Sequence, residues 1–216
     1  MKIHLALYDP SHLTAEGAYW SWHSPKLDIK LLNQLYYEVA ALHRPEDTNQ
    51  LSNATLLGGF ASIGGDFVFV YRFGNGGYDS FGRPGRFVMV VAGFRLDQTG
   101  PCDLREIVSG SDFSKVIADA QELCPVPEPS DLEFDLNLRS LREDPLLVSE
   151  VLREKRLSLP GPTAPSRENV LSTAAGICMR LPGRNWQCRF QIEGEIGTAE
   201  IEYTDSPSKI LLTDSE

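Results

Sequence analysis

Eight successive residues, Phe87-Val88-Met89-Val90-Val91-Ala92-Gly93-Phe94, carry no polar side chain and are closed off by Arg86 and Arg95. A strand with one wet face alternates apolar and polar residues. A continuous apolar run of this length marks a central strand covered on both faces. Such a strand needs partners, and Thr55–Ser62 and Phe67–Phe73 supply two. Gly64-Gly65-Asp66 between them reads as a hairpin turn. Ile3–Tyr8 alternates and reads as a first strand, followed by a turn at Asp9-Pro10-Ser11-His12. Gly17–His23 alternates too, which predicts Trp20 and Trp22 on one side and Tyr19, Ser21 and His23 on the other. Paired tryptophans on one strand face read first as core anchors, because each ring buries a large area.

The clearest helix runs from Asp28 to His43. Ile29, Leu32, Leu35, Tyr36, Val39 and Leu42 recur at three- and four-residue spacing and form one apolar stripe. Ser24-Pro25 is a start signal, with the first turn at Leu27 or Asp28, and Arg44-Pro45 ends the element. Asp103–Val108 and Asp112–Leu123 predict two short helices. Pro125-Val126-Pro127-Glu128-Pro129 is a stiff extended connector. It divides the chain into a core region, 1–124, and a C-terminal region, 125–216, either as two units or as parts of one. Asp144-Pro145 opens a helix to about Arg156. After Pro160–Pro165, Ser166 caps another, with Val170, Leu171, Ala174, Ile177 and Cys178 on one side. Trp186–Glu193 alternates cleanly, and Thr198–Tyr203 and Ile210–Leu212 complete a β-meander. The fold class expected is α+β: a mostly antiparallel sheet with packed helices, then a C-terminal helix and β-meander.

Composition excludes several functions. The chain has 30 acidic against 20 basic residues, a formal charge of −10, which repels phosphate backbones and disfavours nucleic acid as the main partner. No run approaches the roughly 18 apolar residues of a membrane helix. The N-terminus meets Asp9-Pro10 too early for a secretion signal, so a cytoplasmic protein is expected. Cys102, Cys124, Cys178 and Cys188 lack paired spacing or a nearby histidine, which argues against structural zinc. No phosphate-binding loop, nucleophile elbow or zinc-protease motif occurs. His4, His12, His23 and His43 are all N-terminal to the cysteines, and their spacing gives no support to a Cys–His dyad. The pairs Glu133/Asp135 and Glu200/Glu202 each face one way along a strand, but exposed pairs of this kind are commonly just solvated. No cofactor and no catalytic residue are expected.

The feature that does point to a site is the glycine-rich loop Phe73–Arg86. Long loops inside a folded domain are more often functional than ornamental. Gly82-Arg83-Pro84-Gly85-Arg86 sets two guanidinium groups beside backbone amides that glycine frees, a workable anion nest. Asp79 lies within reach, and its pairing with Arg83 or Arg86 to lock the loop is the plain alternative. The order of an early strand, an aromatic segment ending Ser24-Pro25, an amphipathic helix and a strand pair closing on Tyr71-Arg72-Phe73 continues into Asp79-x-x-Gly82-Arg83-Pro84-Gly85-Arg86 and an apolar strand. That order, over roughly residues 3–97, resembles the N-terminal domain of GTPase-associated protein 1, a component of bacterial conflict systems. The resemblance implies a non-catalytic adaptor beside a GTPase or ATPase partner in defence, and carries Arg72, Asp79, Gly82, Arg83, Gly85 and Arg86 as motif positions. It does not extend to the C-terminal β-meander, where family members often carry helices. The residues themselves allow an interaction module, with the loop and the aromatic edge at Tyr19 and Trp22 meeting a protein. They also allow a sensor or enzyme holding a phosphorylated ligand or nucleotide at Arg83 and Arg86, or a subunit whose C-terminal strands pair with another chain.

Overall fold

The computed structural model describes residues 2–11, 19–45, 51, 55–63, 67–79, 81–95, 132–133, 145–159, 167–181, 186–194 and 196–203. The expected turn at 64–66, helices at 103–108 and 112–123, connector at 125–129, cap at Ser166 and strand at 210–212 lie outside those residues. Within them the strands are β1 (Lys2–Tyr8), β2 (Trp20–His23), β3 (Thr55–Ile63), β4 (Phe67–Asn75), β5 (Phe87–Arg95), β6 (Leu132–Glu133), β7 (Arg156–Leu159), β8 (Trp186–Glu193) and β9 (Ile196–Tyr203). The helices are α1 (Ile29–Glu38), α2 (Pro145–Glu154) and α3 (Arg167–Cys178), with a 3₁₀ turn at Ala40–His43. The strands form one antiparallel sheet in the order β2-β1-β5-β4-β3-β8-β9-β7, and β6 pairs β1 at Lys2 and Ile3.

Every residue of Leu56–Ile63, Val68–Gly74 and Val88–Phe94 is buried, so the three central strands are covered on both faces. One core holds Tyr8, Trp20, Leu32, Leu35, Tyr36, Phe69, Tyr71, Phe73 and Met89 beneath α1. The other holds Leu5, Leu7, Phe60, Val70, Val90, Phe190 and Ile201 beneath α2 and α3. Strand alternation sends successive side chains to opposite cores, which is why the runs need no polar residue. Residues before and after positions 125–129 join this sheet, since β3 pairs β8 from Thr55↔Glu193 to Ser62↔Trp186.

Local departures have visible causes. The start of α1 is capped by Asp28, whose carboxylate accepts the Lys30 N–H at 2.8 Å, and not by Ser24. The predicted helix to His43 is α-helical only to Glu38, because Val39 leaves helical geometry at φ −123° and a 3₁₀ turn follows. α2 stops where Lys155 takes a left-handed φ of 61°. That reversal starts β7, a short strand the sequence reading omits; Leu157 and Leu159 face the core. The expected stripe of α3 is buried at Val170, Leu171, Ala174, Ile177 and Cys178, with Ala175 added.

The two tryptophans of β2 do not share a face. Trp20 packs in the α1 core and Trp22 against the opposite one. The register explains it: Leu7 pairs Trp22 and Tyr8 pairs Trp20, with an irregularity between Leu7 and Tyr8. One extra residue on β2 flips the alternation. Trp20 is anchored by its indole N–H, which donates to Asn33 Oδ1 on α1 at 2.8 Å.

Candidate functional site

β4 and β5 continue past the sheet as a two-stranded ribbon. The Gly76 N–H donates to Arg86 O at 2.8 Å, and Tyr78 bridges Pro84. Asp79 folds the tip. Its Oδ1 accepts the N–H groups of Phe81 and Arg83, both at 2.9 Å, and its Oδ2 accepts Arg83 Nε at 2.7 Å. The Asp79 carbonyl takes the Gly82 N–H at 2.9 Å. Gly82 has φ +73° there, a conformation a side chain would resist, and Gly85 has φ +95°. The Arg83 backbone N–H is the main cause holding the Asp79 carboxyl below its usual range. Partial burial opposes it, and the Arg83 side chain and Phe81 N–H reinforce it.

Three side chains stand out from this frame. Phe81 is 81% exposed and Tyr78 63%. The Arg83 side chain is 72% exposed, with its guanidinium carbon 5.2 Å from the centre of the Phe81 ring. Of the guanidinium nitrogens, Nε donates to Asp79, and among the described residues neither Nη atom has a hydrogen bond. A concavity of about 430 Å³ lies between the tip and the turn after β1, lined by Pro10, Ser11, Asp79, Phe81, Arg83, Pro84, Gly85 and Arg86.

Arg86 is placed quite differently. Its side chain is 4% exposed and bonded to Asp9, itself 7% exposed. Nε donates to Asp9 Oδ1 at 3.0 Å, Nη2 to Asp9 Oδ2, and Nη1 to the Gly76 carbonyl at 2.9 Å. Ser11 adds its N–H at 3.0 Å and its hydroxyl at 2.7 Å to Asp9 Oδ1. Burial pushes the Asp9 carboxyl up, but the bonds from Arg86 and Ser11 and the Arg86 charge outweigh it, and the net direction is down. Asp79 therefore pairs with Arg83, while a carboxylate the sequence reading took for part of a turn pairs with Arg86.

The other expected positions divide. Tyr19 adjoins the site: its carbonyl accepts the Asp9 N–H at 2.7 Å, and its ring meets Tyr8 edge-on at 5.9 Å. Trp22 is on the far face of the sheet, and Arg72 is buried within β4, between Gly58 and Val90 of the neighbouring strands. Neither joins the ribbon cleft. Glu200 and Glu202 do share a face, and Arg189 binds both, at 3.3 and 3.1 Å. Cys178 and Cys188 are buried free thiols, and burial pushes that of Cys178 up. Among the described residues no group of three His, Cys, Asp or Glu side chains is placed to hold a metal, and no helix is long and apolar enough to cross a membrane.

Asp9, Ser11, Tyr78 and Phe81 are the members that sequence reasoning missed. An exposed Tyr-x-x-Phe inside a loop already singled out for its arginines was the available signal for two of them. No family model matches this chain, and no curated protein or solved structure matches it either.

Proposed function

We propose that this chain is a non-catalytic interaction module that captures a protein partner through the ribbon tip. The observation that carries the reading is Phe81, 81% exposed, held against an exposed Arg83 by a turn that Asp79 closes. Leaving a large aromatic in water costs free energy unless something covers it. Arginine and aromatic residues dominate binding energy where interfaces have been dissected, and a tip whose geometry is already fixed loses little entropy on docking. Tyr78 extends the contact, while Asp9, Arg86 and Tyr19 brace the base of the ribbon. The partner we propose is a GTPase or ATPase of a bacterial defence system, as the resemblance of residues 3–97 implies, and the location we propose is the cytoplasm.

A phosphorylated-ligand sensor draws on the Nη atoms of Arg83, which carry no hydrogen bond among the described residues. It draws less from Arg86, whose charge already faces Asp9. The test is affinity capture from the native host with the wild type and with Phe81→Ala/Arg83→Ala, both positions being exposed. The wild type is expected to retain an NTPase identified by mass spectrometry. The double variant should lose it with its melting temperature shifted by no more than about 2 °C, as for surface changes away from packed features. Equal retention by both proteins would overturn the proposal.

A further inference from the structure

We infer, building on the reading of the ribbon as a partner-contact element, that the cleft beside it receives a carboxylate carried on a peptide segment of the partner. Arg83 is its charge anchor and Phe81 its apolar wall. The cleft, about 430 Å³, falls inside the usual range of roughly 300–1,000 Å³ for binding pockets. Its floor and walls mix Pro10, Pro84 and Phe81 with Ser11, which suits an extended segment better than a free ion.

The charge-assisted contact comes from Arg83. Asp79 occupies Nε at 2.7 Å and the Phe81 ring lies 5.2 Å away, so the guanidinium is held from one edge and one face. The two Nη groups form the remaining edge, a fork that matches the two oxygens of a carboxylate. Because the side chain is already restrained, less rotamer entropy is lost when that fork is filled.

Charge decides between a carboxylate and a phosphate. Arg83 and Arg86 face the carboxylates of Asp79 and Asp9, so the four groups sum to zero. A carboxylate brings one negative charge to a single open edge. A phosphate group brings nearly two, against a neighbouring Asp79 and a second arginine already matched. The monoanion is the better fit.

The experiment uses the full chain and fluorescence anisotropy with a labelled peptide of glutamates and leucines on a glycine–serine background. Companion peptides replace glutamate by glutamine or by phosphoserine, and a further arm has glutamine throughout with either a free or an amidated C-terminus. The glutamate peptide is expected to bind roughly tenfold tighter than the glutamine one, the worth of a charge-assisted hydrogen bond. Arg83→Ala should erase that difference. Arg83→Lys should recover only part of it, since the fork is lost, and Phe81→Ala should weaken both peptides alike. A free C-terminus binding best of all the carboxylates would assign the site to chain ends. Equal affinity for glutamate and glutamine, a preference that survives Arg83→Ala, or tighter binding of phosphoserine would each overturn the inference. If the tip still captures an NTPase while glutamate shows no advantage, the carboxylate assignment fails alone. If glutamate is preferred but capture ignores the tip, the partner reading fails alone.

Discussion

Asp9 ties the end of β1 to the base of the ribbon across 77 positions of sequence. A buried charge pair contributes little net stability, yet removing one member strands the other in a medium that solvates it badly. Asp9→Ala is therefore expected to cost about 3–5 kcal/mol in urea unfolding, whereas Asp9→Leu with Arg86→Met should cost much less. The same pair predicts a pH dependence. The Asp9 carboxyl is held below its ordinary value of 3.8, so its contribution is complete above that value and disappears as pH falls through the folded one. Stability of the wild type should thus fall more steeply below pH 4 than that of the Leu/Met variant. Parallel acid titrations of the two would contradict the assignment. The Arg86 partner was not legible beforehand because a contact between residues so far apart leaves no local pattern. That Asp79 would pair with Arg83 or Arg86 was legible because a glycine-rich turn leaves its side chain few other places to reach, but the choice of Arg83 and the backbone contacts were not.

At the scale of elements, periodicity recovered what burial enforces. The strands expected at Thr55–Ser62, Phe67–Phe73 and Phe87–Phe94, each one or two residues longer in the structure, and the burial of Leu32, Leu35 and Tyr36 on α1 and of the α3 stripe follow from apolar residues at the spacing of their geometry. The α1 stop at Glu38, the short β7 and the split of Trp20 from Trp22 did not. Each turns on one residue leaving regular geometry, which averaging over a window erases. Close packing between strands adds a constraint of its own at Gly58-Gly59. A Cβ on Gly59 would lie 2.4 Å from the Cys188 carbonyl and 2.5 Å from the Tyr71 hydroxyl. Both neighbours are anchored, one as backbone and the other as a fully buried ring. Gly59→Ala should cost roughly 3 kcal/mol or more by overpacking, measured by chemical denaturation. A loss below about 1 kcal/mol would mean that the Tyr71 ring can move aside.

On the scale of the whole molecule, β3 is hydrogen-bonded on one side to β4 and on the other to β8. The core under α2 and α3 mixes residues from Ile3 to Ile201. A fragment ending at residue 124 would expose that face of the sheet and one edge of β3, so it should bind a hydrophobic dye and lack dispersed amide resonances. Adding the 125–216 fragment should restore them, and the intact chain should unfold in a single transition. A well-dispersed spectrum from 1–124 alone would show that its core is self-sufficient.

The place of β1 in the sheet bears on biosynthesis. Its long neighbour is β5, which it meets from His4↔Gly93 to Tyr8↔Met89. During synthesis Ile3, Leu5 and Leu7 therefore lack their β5 neighbour until about ninety further residues have followed. During that interval one edge of β1 has no partner, which is the condition under which apolar strands pair with the wrong chain.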